Sequence, residues 1–293
     1  MRQLHYVRVA VINKVDLVMW TKNGAETLPF VLKRISEVIP DECVNNRILV
    51  DDNSTDRTCE IAKSFGWQIV FNKGSGISDG ANIALEHVES ECFVSFEQDL
   101  LLSYDWWRKV PAHLSNAQVA VASGIRLPSK PTDLRKLQEY TIERYQKRER
   151  GLDSFLYGKT LDNTIYKTRV IRQLGGFPKL SIPAGADNVL AQRLQQNTFQ
   201  WKVDYTVRSI HLRKGLRDEL EHYYWYGTCF NILVPLLSKK HVRIKPLVLR
   251  LLFSPFRGLD IAFKKNAPQA VVIYPLLRLA ILRGVLAGRK SSV

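Results

Sequence analysis

The 293-residue sequence has no CxxC pair, and no histidine cluster lies beside its four cysteines, Cys43, Cys59, Cys92 and Cys229. Zinc-ribbon and thioredoxin-type chemistry therefore has nothing to rest on. Cys92, inside an apolar run, reads as a small buried hydrophobe. There is no GxGxxG and no GxxxxGK[ST], which disfavours dinucleotide-binding and P-loop sites. No repeat at a fixed period and no low-complexity tract occurs, so solenoid and fibrous classes are out. The opening MRQLHYVRVAVINKVDLVMW lacks a long apolar stretch followed by a small-residue cleavage site, so the expectation is a non-secreted protein in the reducing cytoplasm. Near the other end, no run reaches the ~18–20 uninterrupted apolar residues of a spanning helix. Arg278 and Arg283 sit inside the longest run, Ala270–Ala287, and Pro246, Pro255, Pro268 and Pro275 are expected to break this segment into short helices.

Acidic residues are scarce in one place. The chain carries 43 Lys or Arg against 28 Asp or Glu, a net charge of +15, yet Ser238–Val293 holds 12 of the basic residues and a single acid, Asp260. The body is close to neutral, and the tail is a basic, apolar appendage of the kind that meets an anionic surface. A hydrophobic fraction of 45% with 24% charged residues is ordinary for a globular chain, which excludes wholesale disorder.

The body alternates strand and helix signals. Val15–Trp20 is a short apolar run of buried-strand type, and Glu26–Ile39 places Leu28, Val31, Leu32, Ile35, Val38 and Ile39 at helical spacing before Pro40. Strands are expected at Arg47–Val50, Trp67–Phe71, Cys92–Phe96 and Val119–Ser123, and helices at Asp56–Phe65 and Asp79–Val88, the latter capped by Ser78. This alternation predicts an α/β fold with a mainly parallel sheet and helices on both faces.

In open sheets of this kind ligands sit at the carboxyl ends of the strands. Three polar clusters fall at such ends: Thr21-Lys22-Asn23, Asp51-Asp52-Asn53-Ser54 and Glu97-Gln98-Asp99. Two are acidic, and carboxylate oxygens suit Mg²⁺ or Mn²⁺ bridging to a phosphorylated ligand. Glu97 and Asp99 can share a metal only if the strand has ended before them, since side chains alternate faces within a strand. The plain alternative for Asp51–Ser54 is a turn that caps the next helix.

Val50-Asp51-Asp52-Asn53-Ser54-Thr55-Asp56 resembles the VDDxSxD signature of the inverting, nucleotide-sugar-dependent glycosyltransferases of GT-A fold, the large second family of that class. Val18–Asn23 resembles their first strand, which ends in T-x-N. Lys73–Asn82 with Phe96–Leu100 is similar to the glycine-rich turn and DxD segment of polyprenyl-phosphate sugar transferases. Leu174–Phe177 and Asp187–Leu194 resemble the GGF and ED..L..RL segments, so the likeness spans roughly residues 15–215. It implies a nucleotide site of Thr21, Asn23, Asp52, Ser54, Lys73 and Asp79, with Asp52 on the base. It implies Asp99, Glu97 and His211 at an Mg²⁺ or Mn²⁺ ion, and Asp187 as the catalytic base. The first acid of the DxD is Glu97 here, and the ED pair is Ala186-Asp187.

By the same likeness an acceptor lid falls at Thr132–Arg150, where Arg144, Lys147 and Arg148 could face phosphate. A solvated helix is the plainer reading of most of those charges. The organisation expected is a catalytic domain over residues 1–235, with a nucleotide-sugar half at about 15–124 and an acceptor half at 125–235, followed by a membrane-associating amphipathic segment over 236–293. The function expected is sugar transfer from a nucleoside-diphosphate sugar to a lipid-phosphate or lipid-linked acceptor, on the cytoplasmic face of a membrane. A soluble acceptor, with the tail used for homo-oligomer assembly, is the alternative. Nucleic-acid binding is disfavoured because the tail's charges alternate with leucines and no nucleic-acid module is recognisable.

Overall fold

The computed structural model describes residues 14–74, 76–146, 158–182, 184–212, 215–238 and 242–290. Lys147 and Arg148 lie outside the described residues. The chain divides into two compact units. The first holds the described residues of Met1–Ile125, Lys159–Pro178 and Arg193–Ser209, and the second those of Arg126–Gly158, Lys179–Gln192 and Ile210–Val293.

The first unit is built on a sheet of order β3-β2-β1-β4-β7-β6-β8-β5. Its strands are β1 (Val15–Thr21), β2 (Val44–Asp51), β3 (Gln68–Phe71), β4 (Cys92–Phe96), β5 (Leu100–Leu101), β6 (Val119–Pro128), β7 (Thr164–Lys167) and β8 (Gln200–His211). β1 is buried along its whole length, as a central strand covered on both faces must be. It runs parallel to β2 on one side and β4 on the other, and β2 runs parallel to β3. β7 is antiparallel to both β4 and β6, so the sheet is mixed rather than mainly parallel throughout. The parallel half is the one the alternating pattern pointed to.

Helices α1 (Leu28–Val38), α2 (Thr58–Ser64) and α3 (Gly76–Glu86) supply the crossovers among β1 to β4. α1 turns Leu28, Val31, Leu32, Ile35 and Val38 inward, and Pro29 sits in its first turn, where a missing N–H costs nothing. α3 begins at Gly76, before Ser78 rather than after it. Short helices α4 (Trp106–Lys109) and α6 (Thr168–Gln173) complete this unit. Trp106 is fully buried and donates its indole N–H to the Asn163 carbonyl at 3.2 Å. At its amino end β1 carries Asp16, fully buried. Its carboxylate accepts from Asn45 Nδ2, from the backbone N–H of Asn46, and from those of Glu89 and Ser90 at 2.6 and 2.7 Å.

The second unit is helical: α5 (Thr132–Gln146), most of α7 (Ala186–Gln196), α8 (Leu216–Ser238), α9 (Ile244–Leu252), α10 (Ser254–Lys265) and α11 (Ala270–Lys290). Leu134 and Leu137 of α5 pack with Ile261 of α10 and with Ala270, Ile273 and Leu277 of α11. α8 and α11 meet backbone to backbone. A Cβ on Gly284 would lie 2.0 Å from the Tyr224 carbonyl oxygen and 2.9 Å from the Gly227 Cα. Two proline expectations are corrected here. Pro275 lies inside α11 and Pro246 inside α9, so neither ends a helix, whereas Pro255 opens α10 and Pro268 precedes α11. Within α11, Ala270–Gly288 is long and apolar enough to cross a membrane by length and composition, with 33% of that window buried.

Candidate functional site

The strand order fixes where a ligand goes. From β1 the chain steps outward to β2 and β3, then returns to β4 on the other side of β1, so the switch point lies between β1 and β4. The register carries this to named residues. Thr21 pairs with Asp51, Asp51 with Phe71, and Met19 with Phe96, which sets Gln98 level with Thr21 and Asp52 level with Asn72. All three polar clusters of the sequence thus stand on one rim.

Each cluster is tied to its neighbour. Gln98 Oε1 accepts from the Thr21 hydroxyl and from the Lys22 N–H at 2.9 Å, while its Nε2 donates to the Lys22 carbonyl at 3.1 Å. A Cβ at position 24 would come within 2.8 Å of Gln98 Oε1, which accounts for Gly24. The β1 and β2 loops are stitched together. The Asn23 N–H donates to Ser54 Oγ (2.8 Å), Asn23 Oδ1 accepts from the Thr55 N–H (2.8 Å), and Asp56 Oδ2 accepts from the Ala25 N–H (3.0 Å). Asn23 and Asn53 hold positive φ, which asparagine tolerates better than most residues. Burial opposes ionisation of Asp56, but hydrogen bonds from Thr58 and Ala25 outweigh it and hold its carboxyl below the usual range. Asp51 is buried and takes the Ser54 N–H, so it serves the turn, whereas Asp52 faces the rim. Asp52 accepts from Asn72 Nδ2 at 3.1 Å and stands 3.7 Å from the Lys22 ammonium. Lys73 is exposed on the β3–α3 loop. Asp79 packs its carboxylate against Gly74, where a Cβ would sit 2.2 Å from Asp79 Oδ2.

β4 ends at Phe96, so Glu97 and Asp99 stand in a turn before β5, which is the condition for both to reach one ion. His211, buried, is the last residue of β8. Glu97, Asp99 and His211 each offer one ligand atom, and these atoms lie within 4.8 Å of one another. Two carboxylates and an imidazole fit a divalent ion of the Mn²⁺ or Mg²⁺ kind. Asp187, half-buried, lies in the first turn of α7, and its Oδ1 accepts from the Asn188 N–H at 2.7 Å. Arg144 lies half-buried near the end of α5.

The sequence model for glycosyl transferase family 2 matches residues 16–175, more than half of the chain. The chain belongs to glycosyl transferase family 2. A comparison with curated proteins finds no significant match. Among solved structures, this family 2 enzyme is similar to a mannosyltransferase from Pyrobaculum calidifontis in complex with GDP-mannose and Mn²⁺. The identity is 18% and the TM-score 0.60, over 96% of this chain and 76% of that one. It is also similar to S. aureus TarS 1–349 (14% identity, TM-score 0.53, 95% and 91% covered). A third likeness is to glucosyl-3-phosphoglycerate synthase from Mycobacterium tuberculosis in complex with Mn²⁺, UDP and glucosyl-3-phosphoglycerate (14% identity, TM-score 0.52, 77% and 79% covered). The fold is GT-A, and the protein is a glycosyltransferase with a candidate metal site.

The family's GGF segment has a physical reason in this chain. Gly175 and Gly176 both hold φ of 80°, and a Cβ on Gly176 would strike Asn82 Oδ1 at 2.4 Å. That amide bridges the Phe177 backbone, accepting from its N–H and donating to its carbonyl. Phe177 then packs edge-on against Trp20 and Tyr166 beneath the rim. The residues that motif reading passed over are Gln98 and Asn72, whose amides set the rim's geometry. Gln98 had a sequence signal only as the middle of Glu97-Gln98-Asp99, and Asn72 only as the residue that follows the third expected strand.

Proposed function

We propose that this enzyme is an inverting, metal-dependent glycosyltransferase that moves a sugar from a nucleoside-diphosphate sugar to a lipid-phosphate or lipid-linked acceptor at the cytoplasmic face of a membrane. The observation that carries the donor side is the convergence of Glu97, Asp99 and His211 at the strand-end rim that also presents Asp52. The basic, apolar helices of the second unit support the lipid side. The structural neighbours with GDP-mannose or UDP and Mn²⁺ support a diphosphate donor.

In this reading Asp52 pairs with the base, with Asn72 and Lys22 orienting its carboxylate. Thr21, Asn23, Ser54, Lys73 and Asp79 line the nucleotide, and Glu97, Asp99 and His211 hold the cation. A bound divalent cation supplies neutralisation of the charge that grows on the leaving diphosphate. The acceptor oxygen attacks the anomeric carbon from the face opposite the nucleotide. The bond from that carbon to the diphosphate oxygen breaks, and its electron pair leaves with the nucleotide. Asp187 takes the proton of a hydroxyl acceptor. A phosphate acceptor has no proton to give up, and Asp187 then orients it or the sugar. No nucleophilic Ser or Cys is required.

The test is transfer from labelled UDP- and GDP-sugars, with Mg²⁺ or Mn²⁺ and host membrane lipids, followed by organic extraction. Asp187→Asn and Asp99→Ala variants run in parallel. Label in the organic phase, lost in both variants, is the expected result. Label that stays aqueous in every lane overturns the lipid acceptor.

A further inference from the structure

The second unit carries more apolar side chain on its outside than a solvated helical unit needs, and that excess is concentrated on α9 and α10. Leu252, Phe253, Phe256 and Phe263 are 64%, 63%, 67% and 83% exposed, and Val248, Leu249 and Leu259 are exposed beside them. On α10 the pattern has two faces. Ser254, Gly258 and Ile261, spaced i, i+4 and i+7, are buried. Phe256, Leu259 and Phe263, spaced i, i+3 and i+7, form a second apolar stripe that faces outward. Exposed large apolar side chains grouped on two successive helices mark an interaction site.

Charge identifies the occupant. Residues 242–265 contain six basic side chains and one acid, Asp260. That acid is already engaged by Tyr140, Lys264 and Arg257. Arg243, Lys245 and Arg250 are exposed alongside the apolar residues of α9. A face that is both aromatic and uniformly basic would repel a second copy of itself. It suits an anionic bilayer, where the apolar side chains enter the acyl boundary and the cations stay at the headgroups. α11 meets a length-and-composition test for crossing a membrane, but its backbone is already in contact with α8 at Gly284 and with α10 at Gly258. One face of α11 is thus committed to protein, while only 33% of its Ala270–Gly288 window is buried. α9 and α10, of 9 and 12 residues, are themselves too short to span a bilayer.

We propose that α9 and α10, through Val248, Leu249, Leu252, Phe253, Phe256 and Phe263, form an interfacial docking surface for anionic lipid, lying in the membrane surface and not spanning it. This deepens the lipid-acceptor reading above and rests on it for its purpose, while its test reads binding alone. The full chain is sedimented with vesicles of phosphatidylcholine, with and without about 30 mol % phosphatidylglycerol. Phe256→Ser/Phe263→Ser and Lys245→Glu/Arg250→Glu variants are compared with wild type, and thermal melts establish that they fold. Should the double phenylalanine variant misfold, Phe263→Ser alone, at the most exposed position, replaces it.

The expected result is binding to the anionic vesicles only, reduced about tenfold or more in each double variant. Equal binding by the variants, equal binding to neutral vesicles, or none by wild type overturns the proposal. So does a wild-type dimer that falls to a monomer in Phe256→Ser/Phe263→Ser without vesicle binding, because the face would then belong to a second copy. Asp99→Ala is expected to bind vesicles as wild type does. Absence of sugar transfer by the wild-type chain, with its vesicle binding intact, counts against the transferase reading and leaves this one standing.

Discussion

Replacing Gln98 with alanine removes a side chain that joins the ends of β1 and β4 through three hydrogen bonds, to the Thr21 hydroxyl and to the N–H and carbonyl of Lys22. Each is worth about 0.5–1.5 kcal/mol net. The Lys22 backbone groups are exposed and regain water, so the loss is set at about 1–3 kcal/mol. For a chain of this size that lowers the melting temperature by roughly 2–5 °C. The larger consequence is local. Glu97 and Asp99 flank Gln98 in one turn, so releasing its amide frees the two carboxylates to move apart. Loss of such supporting contacts weakens metal binding by about 10–100-fold. Thermal unfolding by circular dichroism reads the first effect, and Mn²⁺ titration by calorimetry in the presence of UDP or GDP reads the second. A melt within about 1 °C of wild type with an unchanged Mn²⁺ titration refutes the assignment of Gln98 as the clamp. A lowered melt with an unchanged titration reduces it to a stability residue.

Chelation with EDTA is expected to abolish transfer and added Mn²⁺ to restore it, with Glu97→Gln needing about tenfold more Mn²⁺ for half-maximal rate. Activity that survives chelation removes the metal from the reaction. Gly284→Val drives a branched side chain into the Tyr224 carbonyl of α8 and is expected to cost about 3 kcal/mol or more in urea denaturation, since backbone and not a side-chain tip must move. The Asp260 carboxyl is held below its ordinary value of 3.8 by hydrogen bonds from Lys264 and Tyr140. Its contribution is therefore fully present above that value and is lost as the pH falls through the lower folded-state value. Asp260→Asn is expected to lower stability by under about 1 kcal/mol at neutral pH, with the difference closing in melts taken progressively below pH 4.

The parallel half of the sheet was legible because β1, β2 and β4 are buried on both faces and read as continuous apolar runs. The three polar clusters could be set at their ends from sequence, but their convergence needed the strand order. β7 was missed because Thr164–Lys167 has only four residues and runs straight into α6, with no turn residues to separate the two. β8 was missed although Trp201, Val203, Tyr205 and Val207 alternate with polar residues over Gln200–Arg208, the period of a half-buried strand. His211 drew attention only through family likeness. What makes it a ligand candidate is its place at the end of β8 beside Glu97 and Asp99, which no local pattern encodes. In the second unit composition fixed the basic, apolar character, but not which helices use their apolar faces internally. Proline was a poor guide, since Pro275 and Pro235 are both carried within helices.

Asp16 lies five residues from Thr21 on the same strand, about 16 Å away along it. Its carboxylate gathers donors from the segment that starts β2 and from the one that precedes β4. A one-residue slip of β1 against either neighbour would leave a buried charge unanswered, so the alignment of these three strands is set at the end of the sheet remote from the rim. The rim loops are thereby relieved of holding the strands in place. Rim positions other than Gln98, Glu97 and Asp99 can change to suit a different sugar or base while the scaffold beneath keeps its alignment.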